Sequence, residues 1–248
     1  MTDQAQLPAT PARMPWRAAS VASMMRETPS AATLYFDVDG WPGHRAGQHI
    51  DVRLTAEDGY QAQRSYSIAS APEDERLAIT VERLLDGEVS PYLVDDVRPG
   101  DQIEIRGPIG GWFVWEAEQA GPLLLAGGGS GVVPLMAMLR HRRSVGSDVP
   151  AHLLLSAQRP AAVIYARELD SLGIDVTTTY TREAPDGWAG PTGRVNRDML
   201  ERLGWTPDAM PRVYICGPNG FVETVAEQLM VLGHPASRIR TERFGATG

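Results

Sequence analysis

The chain has 248 residues, enough for two domains with substantial cores, and its 23 arginines against 31 carboxylates give a net charge of −8. This charge balance argues against a nucleic-acid partner, and the absence of lysine excludes a Schiff-base mechanism and the lysine-dependent phosphate loop of nucleoside triphosphatases. A single cysteine, Cys216, excludes an intramolecular disulfide and a four-cysteine iron–sulfur cluster built from these residues, and the five histidines lack metal-ligand spacing, so no metal site is predicted.

The amino-terminal residues 1–15 are polar and rich in alanine and proline, without the apolar core of a signal peptide. They predict a flexible tail. The longest apolar stretch, 122–139, is only just long enough for a membrane span, and glycines and a proline interrupt it. We therefore expect no membrane insertion and a cytoplasmic protein.

Short segments of alternating apolar and polar residues, separated by turn residues, fill the range 16–116. Strands at this spacing predict a small antiparallel β-barrel. The predicted strands include 33–38, 50–54, 77–81 and 102–106.

Two short motifs in this first half carry chemistry beyond that of a plain barrel. In a strand, Arg64 and Tyr66 point to one face and Ser67 to the other, so the arginine can neutralise a phosphate while the tyrosine stacks on a flat ring. Downstream of Gly87, Ser90 is a natural helix N-cap, and the helix it starts would offer a second anion site. Taken alone, each motif is also explained by ordinary structure.

The apolar run 123–126 reads as a buried strand, and a glycine turn separates it from a helix that starts at Val132. A strand, glycine turn and helix form a phosphate cradle, in which glycine allows the backbone to approach a pyrophosphate closely. A glycine turn without a ligand is the alternative interpretation. The predicted cradle residues are Gly128, Gly129, Ser130 and Gly131.

Strands and helices alternate through the range 117–248, which predicts a parallel sheet with helices on both faces. Ligands of such sheets bind at the carboxyl ends of the strands, where Ser156 and Arg159 lie. NAD sites place a carboxylate after the second strand and NADP sites an arginine, so Arg159, with no carboxylate beside it in the sequence, favours NADPH. A simple surface arginine is the alternative. The predicted strands are 152–156, 174–180, 213–216 and 238–244, and the predicted helices are 132–140, 163–172, 196–203 and 220–232.

The motifs Arg64-x-Tyr66-Ser67 and Gly87-x-x-Ser90, followed by the glycine turn, together resemble the ferredoxin–NADP reductase family of flavoproteins. The resemblance extends from about residue 16 to the end of the chain. It implies that Arg64 holds the flavin pyrophosphate, Tyr66 packs against the isoalloxazine and Ser67 lies near its reactive nitrogen. It also implies that Ser90 caps a helix on the same pyrophosphate.

The motif Cys216-Gly217-Pro218 matches a family motif whose cysteine lies near the nicotinamide, so Cys216 joins Ser67 as a predicted catalytic residue. A small buried packing residue is the alternative for Cys216. The tail departs from the plant-type pattern, because Phe244 is its nearest aromatic and four residues follow it, as in the bacterial oxygenase-reductase branch. Phe244 is therefore predicted to contact the cofactor, and whether it stacks on the flavin stays open.

The expected architecture is an antiparallel flavin-binding β-barrel over 16–116, followed by a parallel-sheet nicotinamide-nucleotide-binding domain over 117–248. The expected enzyme passes hydride from NADPH to FAD, then single electrons to a separate ferredoxin or oxygenase component. NADH is the alternative donor, and FMN the alternative flavin, because no adenine-stacking aromatic is evident. The other functions left open are an NAD(P)H-dependent reductase of free flavins or ferric chelates and a non-catalytic electron-transfer subunit.

Overall fold

The computed structural model describes residues 14–119, 121–204 and 206–244, so positions 1–13 of the predicted tail lie outside the described residues. Six antiparallel strands form the first sheet, in the order β4-β3-β6-β1-β2-β5. These strands are β1 (Arg17–Thr28), β2 (Ala31–Asp37), β3 (His49–Thr55), β4 (Gln61–Ser67), β5 (Leu77–Glu82) and β6 (Gln102–Ile109).

A bridge between the two edge strands closes this sheet into the predicted barrel. Ile68, just after β4, pairs with Ile79 of β5, and the Ala69 N–H donates to the Ala78 carbonyl over 2.7 Å. Alternate side chains such as those of Leu34 and Ile105 fill the barrel interior. The longest strand, β1, was not among the predicted strands because its sequence lacks clear alternation.

Five parallel strands form the second sheet, in the order β11-β10-β7-β8-β9. Leu123 and Leu125 pack on one face and Leu124 and Ala126 on the other, so both faces are buried as in other parallel sheets. No helix in the described part of the chain has the length and apolar character that crossing a bilayer requires. The strands are β7 (Leu123–Gly128), β8 (Ala151–Ala157), β9 (Asp175–Tyr180), β10 (Arg212–Gly217) and β11 (Ile239–Arg243), and the helices are α1 (Val132–Ser144), α2 (Ala166–Leu169), α3 (Arg197–Arg202) and α4 (Asn219–Val231).

The helix predicted over 163–172 is wrong in its extent, because only the single turn α2 forms there. Tyr165 stands just before it with φ of 62°, a left-handed conformation that a continuous helix does not allow. The Tyr165 hydroxyl donates to Thr80 Oγ1 in the barrel. The chain bends away from helical geometry at this tyrosine, whose side chain reaches the other domain.

Arg140, near the end of α1, ties the two sheets together. One guanidinium nitrogen donates to the Ala69 carbonyl of the barrel over 2.6 Å, and two others donate to the Glu168 carboxylate. The guanidinium carbon also lies 4.4 Å from the centre of the Tyr165 ring. Since these contacts are largely buried, they fix the barrel against the parallel sheet.

Candidate active site

The glycine turn packs against the carboxyl end of β10. A β-carbon on Gly131 would lie 2.1 Å from the Cys216 carbonyl oxygen, and one on Gly128 would lie 3.0 Å from the Phe221 ring. A β-carbon on Gly217 would meet the Gly128 carbonyl at 3.0 Å. Packing within the protein therefore requires glycine at these positions, and the predicted approach of a pyrophosphate to the turn stays a prediction.

Gly129 and Ser130 form the open part of the turn. Gly129 has φ of +56°, and apart from its chain neighbours the one described atom within 4 Å of a β-carbon placed there is Glu82 Oε2, at 3.7 Å. Ser130 is half-buried, and no side chain in the described part of the protein caps the start of the 13-residue helix α1. A long helix that begins without a side-chain cap keeps N–H groups for an anion, so the turn retains the chemistry of a phosphate site.

On the barrel side, Ser67 is buried at the end of β4, and its hydroxyl has no hydrogen-bond partner among the described residues. Tyr66, beside it, is largely buried, and this burial raises the pKa of its phenol well above the usual value. A buried hydroxyl without a partner is unfavourable unless a ligand atom satisfies it. The residues present therefore fit a bound flavin.

Arg64 is exposed near the same end of β4 and forms an ion pair with Glu88, which lies outside the Arg64–Ser67 motif. Its guanidinium donates to Glu88 over 3.2 Å, and the Tyr60 hydroxyl donates to the other oxygen of the same carboxylate over 2.7 Å. No sequence motif indicates a role for Tyr60, which precedes the motif in a hairpin turn. An exposed aromatic beside the predicted pyrophosphate arginine is a candidate to stack on adenine.

Ser90 does not cap a helix, contrary to the prediction. Its buried hydroxyl accepts a hydrogen bond from the Leu84 N–H over 3.0 Å, while the following single helical turn, Tyr92–Asp96, has no cap from any described side chain. A β-carbon on Gly87 would lie 2.8 Å from the Ser90 hydroxyl. Gly87 and Ser90 thus hold the loop after β5 in shape, because the Leu84 N–H needs a partner there.

Arg159 follows β8 at the rim of the parallel sheet, near the buried Ser156. The structure brings Glu183, which follows β9, to 3.9 Å from its guanidinium. A carboxylate does therefore stand beside Arg159, although the sequence places none next to it. Both side chains are substantially exposed, so this ion pair is weak and open to a ligand.

The two halves of the predicted site meet where His49 of β3 approaches Glu242 of β11, with 3.7 Å between Nδ1 and Oε1. Glu242 pairs in register with Cys216, which is fully buried, and burial raises the pKa of the Cys216 thiol so that it stays protonated. Sequence motifs pointed to Cys216 but gave no signal for His49 or Glu242.

Phe244 and Pro218 complete the rim at the end of β10. The Phe244 N–H donates to the Gly217 carbonyl over 3.0 Å, and its half-buried ring packs against the main apolar cluster. Pro218 is exposed and precedes α4. The predicted residues Gly217, Pro218 and Phe244 thus lie together beside Cys216.

Comparison with known families assigns both halves of the chain. Residues 20–114 match the oxidoreductase FAD-binding domain, and residues 125–227 match the oxidoreductase NAD-binding domain. This chain belongs to the ferredoxin–NADP reductase-like family. The family and the two-domain fold expected from the motifs are confirmed, as are binding domains for FAD and for a nicotinamide nucleotide. The boundaries at residues 15 and 116 stay predictions.

A relative of known name shows how much of its length this chain matches. The glycine betaine monooxygenase reductase subunit of Chromohalobacter salexigens is 32% identical over 212 residues, which cover 82% of this chain and 56% of that protein. The chain thus spans little more than half the length of this relative.

Solved structures show the same fold over nearly the whole chain. The FAD/NAD-binding domain of nitric oxide dioxygenase from Vibrio cholerae is 26% identical, with a TM-score of 0.83, covering 92% of this chain and 98% of that one. A ferredoxin–NADP+ reductase from Neisseria gonorrhoeae with bound FAD and NADP is 21% identical, with a TM-score of 0.80, covering 92% and 97%. This second likeness shows the shared fold alone.

Proposed function

We propose that this protein is an NAD(P)H-dependent flavin reductase that passes electrons to a separate oxygenase component or ferredoxin. The observation that carries the proposal is the junction between the domains. Ser67 and Cys216, the predicted catalytic residues, belong to different domains, and the His49–Glu242 contact lies between their strands. The register partners of the residues suited to the flavin and to the nicotinamide thus meet at the domain junction.

FAD, when bound, supplies a group that accepts a hydride and can release electrons singly. The protein's part is to hold and orient. Tyr66, as a neutral phenol, would pack against the ring system, and the Ser67 hydroxyl would gain its missing partner there. Arg64 would exchange Glu88 for the flavin pyrophosphate, and Tyr60 would stack on the adenine, which favours FAD over FMN.

The glycine turn and Arg159 would hold the nicotinamide nucleotide. The pyrophosphate would bind at Gly129 and Ser130, where the backbone is open. Arg159 can pair with the additional phosphate of NADPH, whereas the neighbouring Glu183 repels that phosphate and suits the ribose hydroxyls of NADH. We therefore infer that NADPH is the better donor by a modest margin and that NADH is also used.

The acceptor is inferred from the relatives. The protein that is 32% identical is named the reductase subunit of a monooxygenase, which supports an oxygenase component as the partner here. The residues of this chain hold one cysteine, too few for an iron–sulfur cluster of their own. Any cluster in the electron path would then lie outside these residues.

Anaerobic reduction of the purified protein tests the proposal. We expect a yellow protein that releases FAD on denaturation, bleaches with NADPH and then reduces an oxygenase component or ferredoxin faster than free FMN or ferric citrate. Rapid turnover of free flavin or ferric citrate without a protein partner would identify a small-acceptor reductase. A protein that binds neither FAD nor FMN would contradict the proposed flavin reductase altogether. Slow oxidation of NADPH that no acceptor accelerates would indicate a non-catalytic electron-transfer subunit.

A further inference from the structure

Three alternate residues of β5 face the nucleotide-binding domain. Ala78 belongs to the apolar cluster that joins the two domains, and Thr80 accepts a hydrogen bond from the Tyr165 hydroxyl. Further along the strand, Glu82 lies beside the glycine turn, with Oε2 3.7 Å from a β-carbon placed on Gly129. The residues between them point into the barrel interior, namely Leu77, Ile79 and Val81. The outer face of β5 is therefore the barrel's side of the domain interface.

Tyr165 is the first member of a chain of hydroxyl groups that runs from the interface into the barrel. Thr80 Oγ1 lies 2.8 Å from Thr33 Oγ1, its register partner on β2, and Thr33 donates to Glu27 Oε1 over 2.6 Å. Because an ionised carboxylate only accepts, the single hydroxyl proton of Thr33 points to Glu27. Thr80 must then donate to Thr33, and its oxygen accepts from Tyr165. Every hydroxyl of the chain thus has a defined donor role.

The protein holds Tyr165 in place from several sides. The residue is 3% exposed, and its φ of 62° is a left-handed conformation that an aromatic residue keeps only where the surroundings impose it. The Arg140 guanidinium lies over its ring and also donates to Glu168 and to the Ala69 carbonyl. Burial raises the pKa of the Tyr165 phenol to about 12, so its hydroxyl stays a donor at neutral pH.

Tyr165 also connects the two segments that are proposed to hold the nicotinamide nucleotide. It follows Arg159 in the segment after β8. Its partner Thr80 points to the same side of β5 as Glu82, about 7 Å away, and Glu82 faces the glycine turn. The bond between Tyr165 and Thr80 therefore sets the spacing between the barrel and both nucleotide-binding segments.

We propose that Tyr165 is a positioning residue, whose hydrogen bond to Thr80 fixes the barrel against the nucleotide-binding segments at the separation that hydride transfer requires. Groups that react while held by two domains need their atoms about 3–3.5 Å apart, and a displacement of about 1 Å can cost about 100-fold in rate. The alignment for hydride transfer rests on the proposed function, whereas the interdomain bond does not.

Stopped-flow reduction of the bound flavin by NADPH tests the positioning role with Tyr165→Phe, which removes the hydroxyl and keeps the ring. We expect the rate at saturating NADPH to fall by about tenfold. Affinities for NADPH and flavin should change less than about twofold, because the proposed binding residues of each cofactor belong to one domain. Thr80→Val should give the same result from the barrel side, whereas Thr80→Ser, which keeps the hydroxyl, should retain the wild-type rate.

The matched control is Thr179→Val. Thr179 is fully buried in β9, and its hydroxyl donates to the Gly193 carbonyl over 2.9 Å within the nucleotide-binding domain. This variant loses a buried threonine hydroxyl but no interdomain bond, so we expect the wild-type rate of flavin reduction. An unchanged rate in either Tyr165→Phe or Thr80→Val, or a loss equal to that of Thr179→Val, would overturn the positioning role.

Thermal unfolding of the flavin-free protein tests the interdomain bond without any cofactor. Tyr165→Phe and Thr80→Val remove the same bond, so the double variant should unfold at the midpoint of the less stable single variant. Midpoint losses that add in the double variant would show that the two side chains do not interact, and would overturn the whole proposal. A protein that binds neither FAD nor FMN would instead overturn the proposed function, and non-additive midpoints would still support the bond.

Discussion

Gly131 and Cys216 are packed so closely that a β-carbon on Gly131 would stand 2.1 Å from the Cys216 carbonyl oxygen. Their segments lie far apart in the sequence, one after β7 and the other at the end of β10. The glycine turn therefore packs directly against the backbone of Cys216, the residue predicted to lie near the nicotinamide. Any shift of the turn moves both proposed binding elements together.

Gly131→Ala should destabilise the nucleotide-binding domain, because real β-carbons do not approach backbone atoms within 3.0 Å and the contact is to a buried carbonyl. We expect a loss of about 1–3 kcal/mol, typical of overpacking, visible as a lower midpoint of thermal unfolding. The control is Gly220→Ala in the first turn of α4, where, apart from the adjacent helix backbone, no atom of the residues that the structure describes lies within 4 Å of the new β-carbon. Equal stability of the two variants would contradict the packing explanation.

Ser67→Ala should leave the stability of the flavin-free protein unchanged or slightly higher, since its buried hydroxyl has no hydrogen bond to lose to residues 14–119, 121–204 or 206–244. Flavin reduction by NADPH should slow by up to about tenfold, the equivalent of one neutral hydrogen bond of about 0.5–1.5 kcal/mol. Stopped-flow absorbance and thermal unfolding give the two readouts. A destabilised protein with an unchanged reduction rate would assign Ser67 a purely structural role.

Arg64→Ala should weaken flavin binding by about 1.5–3 kcal/mol, the range for a hydrogen bond to a charged group. Glu88→Gln should preserve or tighten flavin binding, because it releases Arg64 from its 3.2 Å ion pair. Titration of the flavin-free protein, followed by quenching of flavin fluorescence, measures both affinities. Weaker binding in Glu88→Gln would mean that the ion pair positions Arg64 instead of competing for it.

Arg159→Ala and Glu183→Gln should shift nucleotide preference in opposite directions. Loss of Arg159 should weaken NADPH binding and leave NADH nearly unaffected, since only NADPH carries the extra phosphate. Removing the Glu183 charge, 3.9 Å from Arg159, should improve NADPH binding. Steady-state kcat/KM for both nucleotides provides the measurement. Equal losses for both nucleotides in Arg159→Ala would contradict its assignment to the phosphate.

Glu242→Gln should flatten the pH dependence of stability. Burial raises the pKa of Glu242 from an unfolded value near 4.5 to about 7. The native state therefore binds more protons than the unfolded state between these values, and stability falls as pH rises through them. The wild type should lose up to about 3 kcal/mol over this interval because of Glu242, and the variant should not. Urea unfolding at several pH values measures the difference, and equal slopes in wild type and Glu242→Gln would contradict the raised pKa.

The sequence by itself determined the fold class and the family. Alternation at period two in the first half and buried apolar runs between helices in the second half depend only on local pattern, and both sheets form where these patterns lie. The motif at Arg64–Ser67 and the glycine turn identified the family because each combines residue types in a fixed local order. These are properties of neighbouring residues, so the sequence alone reveals them.

Only the tertiary structure decided which side chains face one another. Glu183 contacts Arg159 from the end of another strand, and Glu242 contacts His49 from another domain. No local sequence pattern therefore predicts either pair. The sequence predicts Ser90 as a helix cap, but in the folded loop its hydroxyl accepts a hydrogen bond from the Leu84 N–H instead. Hydrogen bonds and charges act through space, so chain folding sets the partners of these residues.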